Sequence, residues 1–185
     1  MTTKEEAQQA ITTLLNWIGE DGSREGLQDT PQRVVDAYTE FFSGYSENAH
    51  SILEQSFSEV DGFQDIILLE KIPFSSHCEH HMIPFFGHAT IAYIPHTRVV
   101  GFSRLIRVLE IFSRRLQIQE RLTEQVAKTI FETLQPQGVA VILEAQHMCM
   151  SMRGIKQAGV SVKTNSFWGV FQAPDIQNKL FHMMS

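Results

Sequence analysis

In the stretch "SSHCEHHMIPFFGH", residues 75–88, Cys78 and His81 are spaced so that a thiolate and an imidazole can bind one ion from a tight turn. Two ligands do not close a site. The only other cysteine is Cys149, in "QHMCM", where His147 stands two residues before it. Alternate residues of a strand share a face, so both are expected to point into one pocket. Cys, His and Cys would fill three of the four positions of a tetrahedral zinc, the pattern of a catalytic rather than a structural ion. His80 could replace His81 as ligand on geometry alone. Whichever imidazole is left, together with His147, is free for proton transfer near working pH. Zinc lowers the pKa of its bound water to about 7, which would provide hydroxide for attack on an electrophilic carbon. The competing reading is a buried core cysteine beside solvated histidines.

A second group is built for anions. In "GFSRLIR", Ser103 is predicted to cap a helix with Arg104 in its first turn and Arg107 three residues further on. Backbone N–H groups, helix dipole and two guanidiniums would then converge on one phosphate. Arg153 in "MSMRGIK" and Arg33 in "TPQRV" could complete the set. "QERL" adds Gln119 and Glu120, and a carboxylate can accept two parallel hydrogen bonds from a guanine edge.

These residues need elements to hold them. Residues 5–18 place Ala7, Ile11, Leu14, Leu15 and Ile18 at helical spacing, and "DTPQRVVDAYTEFF" predicts a second helix with Thr30 as N-cap and Pro31 in its first position. "DIILLEKIPF" and "GHATIAYIP" read as strands, with the histidine-rich stretch in or beside their connection. Leu105, Ile106, Leu109 and Phe112 mark one face of a third helix; Leu122, Val126, Ile130 and Leu134 mark one face of a fourth. "GVAVILEAQHMCMSMRG" and "AGVSVKTNSFWGVF" read as two more strands. The order implies an α+β domain with helices on one face of an antiparallel sheet, whose open edges invite subunit pairing.

The 185 residues carry a net charge of −6, which argues against a general nucleic-acid or anionic-membrane binder. The N-terminus has charges where a signal peptide needs an apolar run, and no run approaches the roughly 20 apolar residues of a membrane span, so a cytoplasmic protein with two free thiols is expected.

Taken together, "CEHH", "GHATIAYIP", "GFSRLIR", "QERLTEQVA", "HMCMSMRG" and "TNSFWGVF" resemble GTP cyclohydrolase I in order and spacing, from about Glu25 to about Phe171. That family is the zinc hydrolase that opens folate and pterin biosynthesis, and hence tetrahydrofolate supply for one-carbon metabolism. The resemblance implies an N-terminal helical region over 1–46 and a T-fold over 47–185, a four-stranded antiparallel sheet with two helices on one face. It implies assembly into a toroidal homodecamer of two stacked pentamers with active sites between subunits. Cys78, His81 and Cys149 match the ligands of one Zn2+ per subunit, and His80 and His147 the catalytic histidines. Glu120 matches the guanine-binding acid, with Gln119 and Ser103 near the substrate. Arg33, Arg104, Arg107 and Arg153 match the triphosphate-binding positions. The implied reaction takes GTP and water, releases C8 as formate, and gives 7,8-dihydroneopterin triphosphate. Arg104 departs from the family's usual Lys, exchanging a point charge on a flexible stem for a rigid planar fork. His77 and His88 are expected to be bystanders. A related T-fold nitrile reductase lacks the Cys, His, Cys set. A non-catalytic descendant should have lost some of His80, His147 or the arginines.

Overall fold

The computed structural model describes residues 2–58 and 62–184. The chain forms two compact units, one ending at Ser43 and the other starting at Gly44. In the first, helix α1 (Lys4–Trp17) opens with a reciprocal cap: the Thr3 hydroxyl accepts from the Glu6 amide, and the Glu6 carboxylate accepts from the Thr3 amide. Helix α2 (Thr30–Phe41) packs against α1, and Lys4 pairs with Asp36 across them at 2.6 Å. Asp29, not Thr30, occupies the cap position, so Pro31 comes second in the helix rather than first. The Thr30 hydroxyl turns back to the Gly26 carbonyl at 3.4 Å and is unavailable as a cap.

The second unit is built on strands β1 (Ile67–Cys78), β2 (Pro84–Ile94), β3 (Leu116–Gln117), β4 (Gly138–His147) and β5 (Ser161–Gly169), in the order β3-β1-β2-β4-β5. The four long strands are antiparallel, as predicted; β3 is an unpredicted parallel addition that pairs Leu116 with His77 and Gln117 with Cys78. Helix α4 (Phe102–Ser113) lies on β1, and α5 (Gln119–Leu134) lies on β4 and β5. A short α3 (Ala49–Glu54), absent from the sequence reading, packs on both. Leu122, Val126, Ile130 and Leu134 of α5 are fully buried, as their spacing predicts. In α4 the core face runs through Leu105, Val108, Leu109, Ile111 and Phe112, while Ile106 points outward at 41% exposure.

The helices are not confined to one face. Helix α7 (Pro174–Met183) covers the opposite side of the sheet, where Leu180 and Phe171 pack with Ile66, Ala92, Ile94 and Ala140. Among the described residues no helix is long and apolar enough to cross a membrane.

Strand β2 runs tight against β4 at Gly87. A Cβ there would meet the Glu144 carbonyl oxygen at 1.9 Å and the Ala145 Cα at 2.7 Å, and ladder backbone cannot give way. Gly87→Ala is therefore expected to cost about 3 kcal/mol or more, read as a lowered denaturation midpoint.

Candidate functional site

The histidine-rich stretch is mostly strand. Ser75–Cys78 end β1, Pro84 starts β2, and only residues 79–83 turn between them. The turn is closed by Cys78 N–H to the Ile83 carbonyl (3.0 Å) and Met82 N–H to the Cys78 carbonyl (2.8 Å). Met82 takes a left-handed φ of +54°, a conformation that costs a non-glycine residue energy and that clusters at functional sites. Ile72, Phe74, Ser76 and Cys78 alternate onto the face covered by α4 and α5, which leaves the Cys78 side chain buried. His77 and His88 fall on the other face; His88 lines a shallow cleft with Lys71, Glu144 and Lys163, apart from the cysteines.

Cys149 arrives differently from expectation. Strand β4 stops at His147, and Cys149 lies in a single-turn helix α6 (Met148–Ser151), so strand alternation does not align it with His147. The helical turn brings it to the site instead: the ligand atoms of Cys78, His81 and Cys149 all lie within 4.8 Å of one another. Burial pushes the Cys149 thiol up from its ordinary value, and the neighbouring Cys78 adds to the shift. Two thiolates this close repel each other, and a divalent cation relieves that repulsion while satisfying the soft donors; the residues fit a zinc ion.

His80 stands beside this group, with its Nδ1 3.7 Å from the Cys78 sulfur and its Nε2 4.0 Å from a Glu79 carboxylate oxygen. Arg153, at the far side of α6, reaches back so that its Nη1 lies 3.1 Å from His81 Nε2. His147 is held on two sides. Its ring stacks on Phe85 at 4.6 Å and 4°, and its Nε2 lies 2.8 Å from Gln119 Oε1. Burial lowers its pKa, with the nearby Glu120 charge in opposition.

Gln119 begins α5 and is only 2% exposed, with its amide spent on protein partners. The adjoining Glu120 is exposed in the first turn of the same helix. Ser103 does not cap α4; Gly101 holds the cap position, and Ser103 follows within the first turn, exposed. Arg104 donates to the Ile52 carbonyl at 2.8 Å and to the Gln55 side-chain oxygen, both from the α3 segment. Arg107 sits between Glu110, at 2.6 Å, and Glu47. Each of these guanidiniums is thus matched within the chain rather than aimed with the other at a common anion. Arg33 lies in the N-terminal unit, paired with Asp29 at 3.1 Å.

The family model for GTP cyclohydrolase I matches residues 7–185. The chain belongs to the GTP cyclohydrolase I family. Among its relatives, the GTP cyclohydrolase 1 of Sinorhizobium fredii is 50% identical over 179 residues, 97% of this chain and 87% of the relative. That of Allorhizobium ampelinum is 50% identical over 98% of this chain and 90% of the relative; that of Pelagibacter ubique is 51% identical over 97% and 90%. A solved structure, archaeosine synthase QueF-Like in the apo form, is 16% identical over 56% of this chain and 93% of its own with a TM-score of 0.43, too distant to bear on the site.

As a member of the GTP cyclohydrolase I family the protein is an enzyme, and some residues around its site escape sequence reasoning. Arg121 donates to Glu79, to Gln117 Oε1 (3.1 Å) and to the Leu116 carbonyl (3.3 Å), tying the 79–83 turn to the start of α5. Phe85 supports His147 because the two are cross-strand partners in the β2–β4 register, which no local spacing reveals. Thr123 and Thr164 stand behind Gln119, and only the packing of α5 on β5 brings them together.

Proposed function

We propose that this family member is a zinc-dependent GTP cyclohydrolase I, which opens the guanine imidazole ring of GTP, releases formate and forms 7,8-dihydroneopterin triphosphate. The observation that carries the reading is the convergence of Cys78, His81 and Cys149, with His80 against Cys78 and with His147 two residues before Cys149 at the end of β4. Cys78, His81 and Cys149 would hold one Zn2+ per subunit. Bound there, zinc would supply Lewis acidity and an activated water for attack at C8.

The chain's own groups do the rest. His147, oriented by its stack and hydrogen bond, moves protons as the imidazole ring opens, and His80 assists the later opening of the ribose. Glu120 accepts from the guanine edge, with Ser103 nearby. Arg33, Arg104, Arg107 and Arg153 bind the triphosphate. Because Arg104 and Arg107 already have partners within the chain, the phosphates must exchange with Gln55, Glu47 and Glu110. A T-fold subunit assembling as a toroidal decamer of two pentamers in the cytoplasm would bring arginines from more than one chain to each site.

The test is direct. The zinc-loaded protein should convert GTP with release of formate and, after oxidation, yield a fluorescent neopterin. A correctly assembled, zinc-loaded protein without turnover overturns the reading.

A further inference from the structure

We propose that Gln119, Thr123 and Thr164 are positioning residues that hold neutral His147 in one tautomer, with the proton on Nε2, so that Nδ1 is the nitrogen offered to the reacting centre. The inference rests on the reading of His147 as the proton-transfer group, and adds which of its atoms acts and what selects it.

Backbone carbonyls set every polarity in the network. The Gln119 side-chain nitrogen lies 3.2 Å from the Leu143 carbonyl and 2.9 Å from the Val162 carbonyl. A carbonyl only accepts, so that end of the amide must be the NH2, and the end facing His147 must be the oxygen. The same NH2 reaches Thr164 Oγ1 at 3.1 Å. Thr123 donates its single hydroxyl proton to the Gln119 backbone carbonyl at 2.7 Å, so in the 2.6 Å Thr123–Thr164 pair the donor is Thr164. Thr164 is thereby left to accept from Gln119, whose two N–H protons are shared among the Leu143 and Val162 carbonyls and this hydroxyl, and the chain of donors runs one way.

Gln119 Oε1 can only accept, and His147 Nε2 stands 2.8 Å from it, so that nitrogen carries the proton. Reversing the tautomer would set a lone pair against the amide oxygen at a residue 2% exposed, beyond the reach of bulk water. Phe85, fully buried and parallel to the imidazole, fixes the ring plane, so the ring cannot tilt to another partner. Gln119 is then spent on His147, and its side chain does not touch substrate.

Solid-state spectra of the zinc-loaded protein carrying 15N-histidine, with His147 assigned by its loss in His147→Gln, should show a protonated Nε2 and a bare Nδ1 in the neutral form. A neutral His147 protonated on Nδ1 overturns the proposal, and this readout holds whether or not the protein turns over GTP. Gln119→Met, of similar length but without an acceptor, should keep zinc, mix the tautomers and lower kcat about tenfold or more with KM within about twofold. Gln119→Glu, which still accepts from Nε2, should recover part of the loss. A raised KM with unchanged kcat in Gln119→Met would place Gln119 on the substrate and overturn the proposal. If Gln119→Met does not fold, the wild-type spectrum alone decides. Failure of the cyclohydrolase reading is separate, being absence of formate from the zinc-loaded wild type.

Discussion

His147→Ala should retain zinc at the wild-type level and lose GTP turnover by about 10²–10⁴-fold, the range for removing a general acid or base. The imidazole lies outside the group formed by Cys78, His81 and Cys149, and its Nε2 is spent on Gln119. On the proposed reading its removal takes away the proton carrier and leaves the three candidate ligands in place. Metal analysis and a formate assay on one preparation check this. Loss of metal together with turnover would make His147 a ligand instead. Because the ring also fills space against Phe85, the denaturation midpoint should be compared as well.

Cys149→Ala should behave in the opposite way, losing metal and turnover together. Two remaining protein ligands, one of them the exposed His81, make a poor zinc site. The fold should survive, because Cys149 only borders the main core and sits on one helical turn, whereas Cys78 is buried within it. Zinc content, formate release and the thermal transition of the purified variant separate the two effects. A Cys149→Ala protein that keeps stoichiometric zinc would remove Cys149 from the ligand set.

What the sequence reveals depends on how local the cause is. Leu122, Val126, Ile130 and Leu134 mark their helix face correctly because α5 buries one continuous stripe. In α4 the same reasoning misplaces Ile106, since the buried stripe runs through Leu105, Val108, Leu109, Ile111 and Phe112, and the helix packs on β1, α3 and α5, elements that the α4 sequence does not encode. Ser103 and Thr30 have the right chemistry for caps, but Gly101 and Asp29 take those positions, a difference of one or two residues that propensity does not resolve. Cys78 and Cys149 are legible from residue type, but residue type leaves His80 and His81 interchangeable as the third member; in the structure it is His81 that converges with the two cysteines. The route by which Cys149 arrives is not legible, because a strand ending at His147 and one ending at Cys149 read alike. Helix α7 had a signal in Pro174, Ile176 and Leu180, which pass for a tail until a second apolar sheet face is known to need cover. The commitments of Arg104 and Arg107 to Gln55, Glu47 and Glu110 depend on where α3 and its approach lie, and nothing in "GFSRLIR" encodes that.

Cys78 ends β1 and Cys149 follows the end of β4, and these two strands are not neighbours, because β2 runs between them. An ion gripped by both would act as a clasp over the end of β2, joining chain segments that the hydrogen-bond ladder never joins directly. Closing so long a stretch of chain restricts the unfolded ensemble as a covalent link does, and a metal that binds only the folded form adds its binding free energy to folding. Chelation would then do more than silence chemistry. It would unfasten the ends of β1 and β4 together, loosening the turn that carries His80 along with the strand end that carries His147.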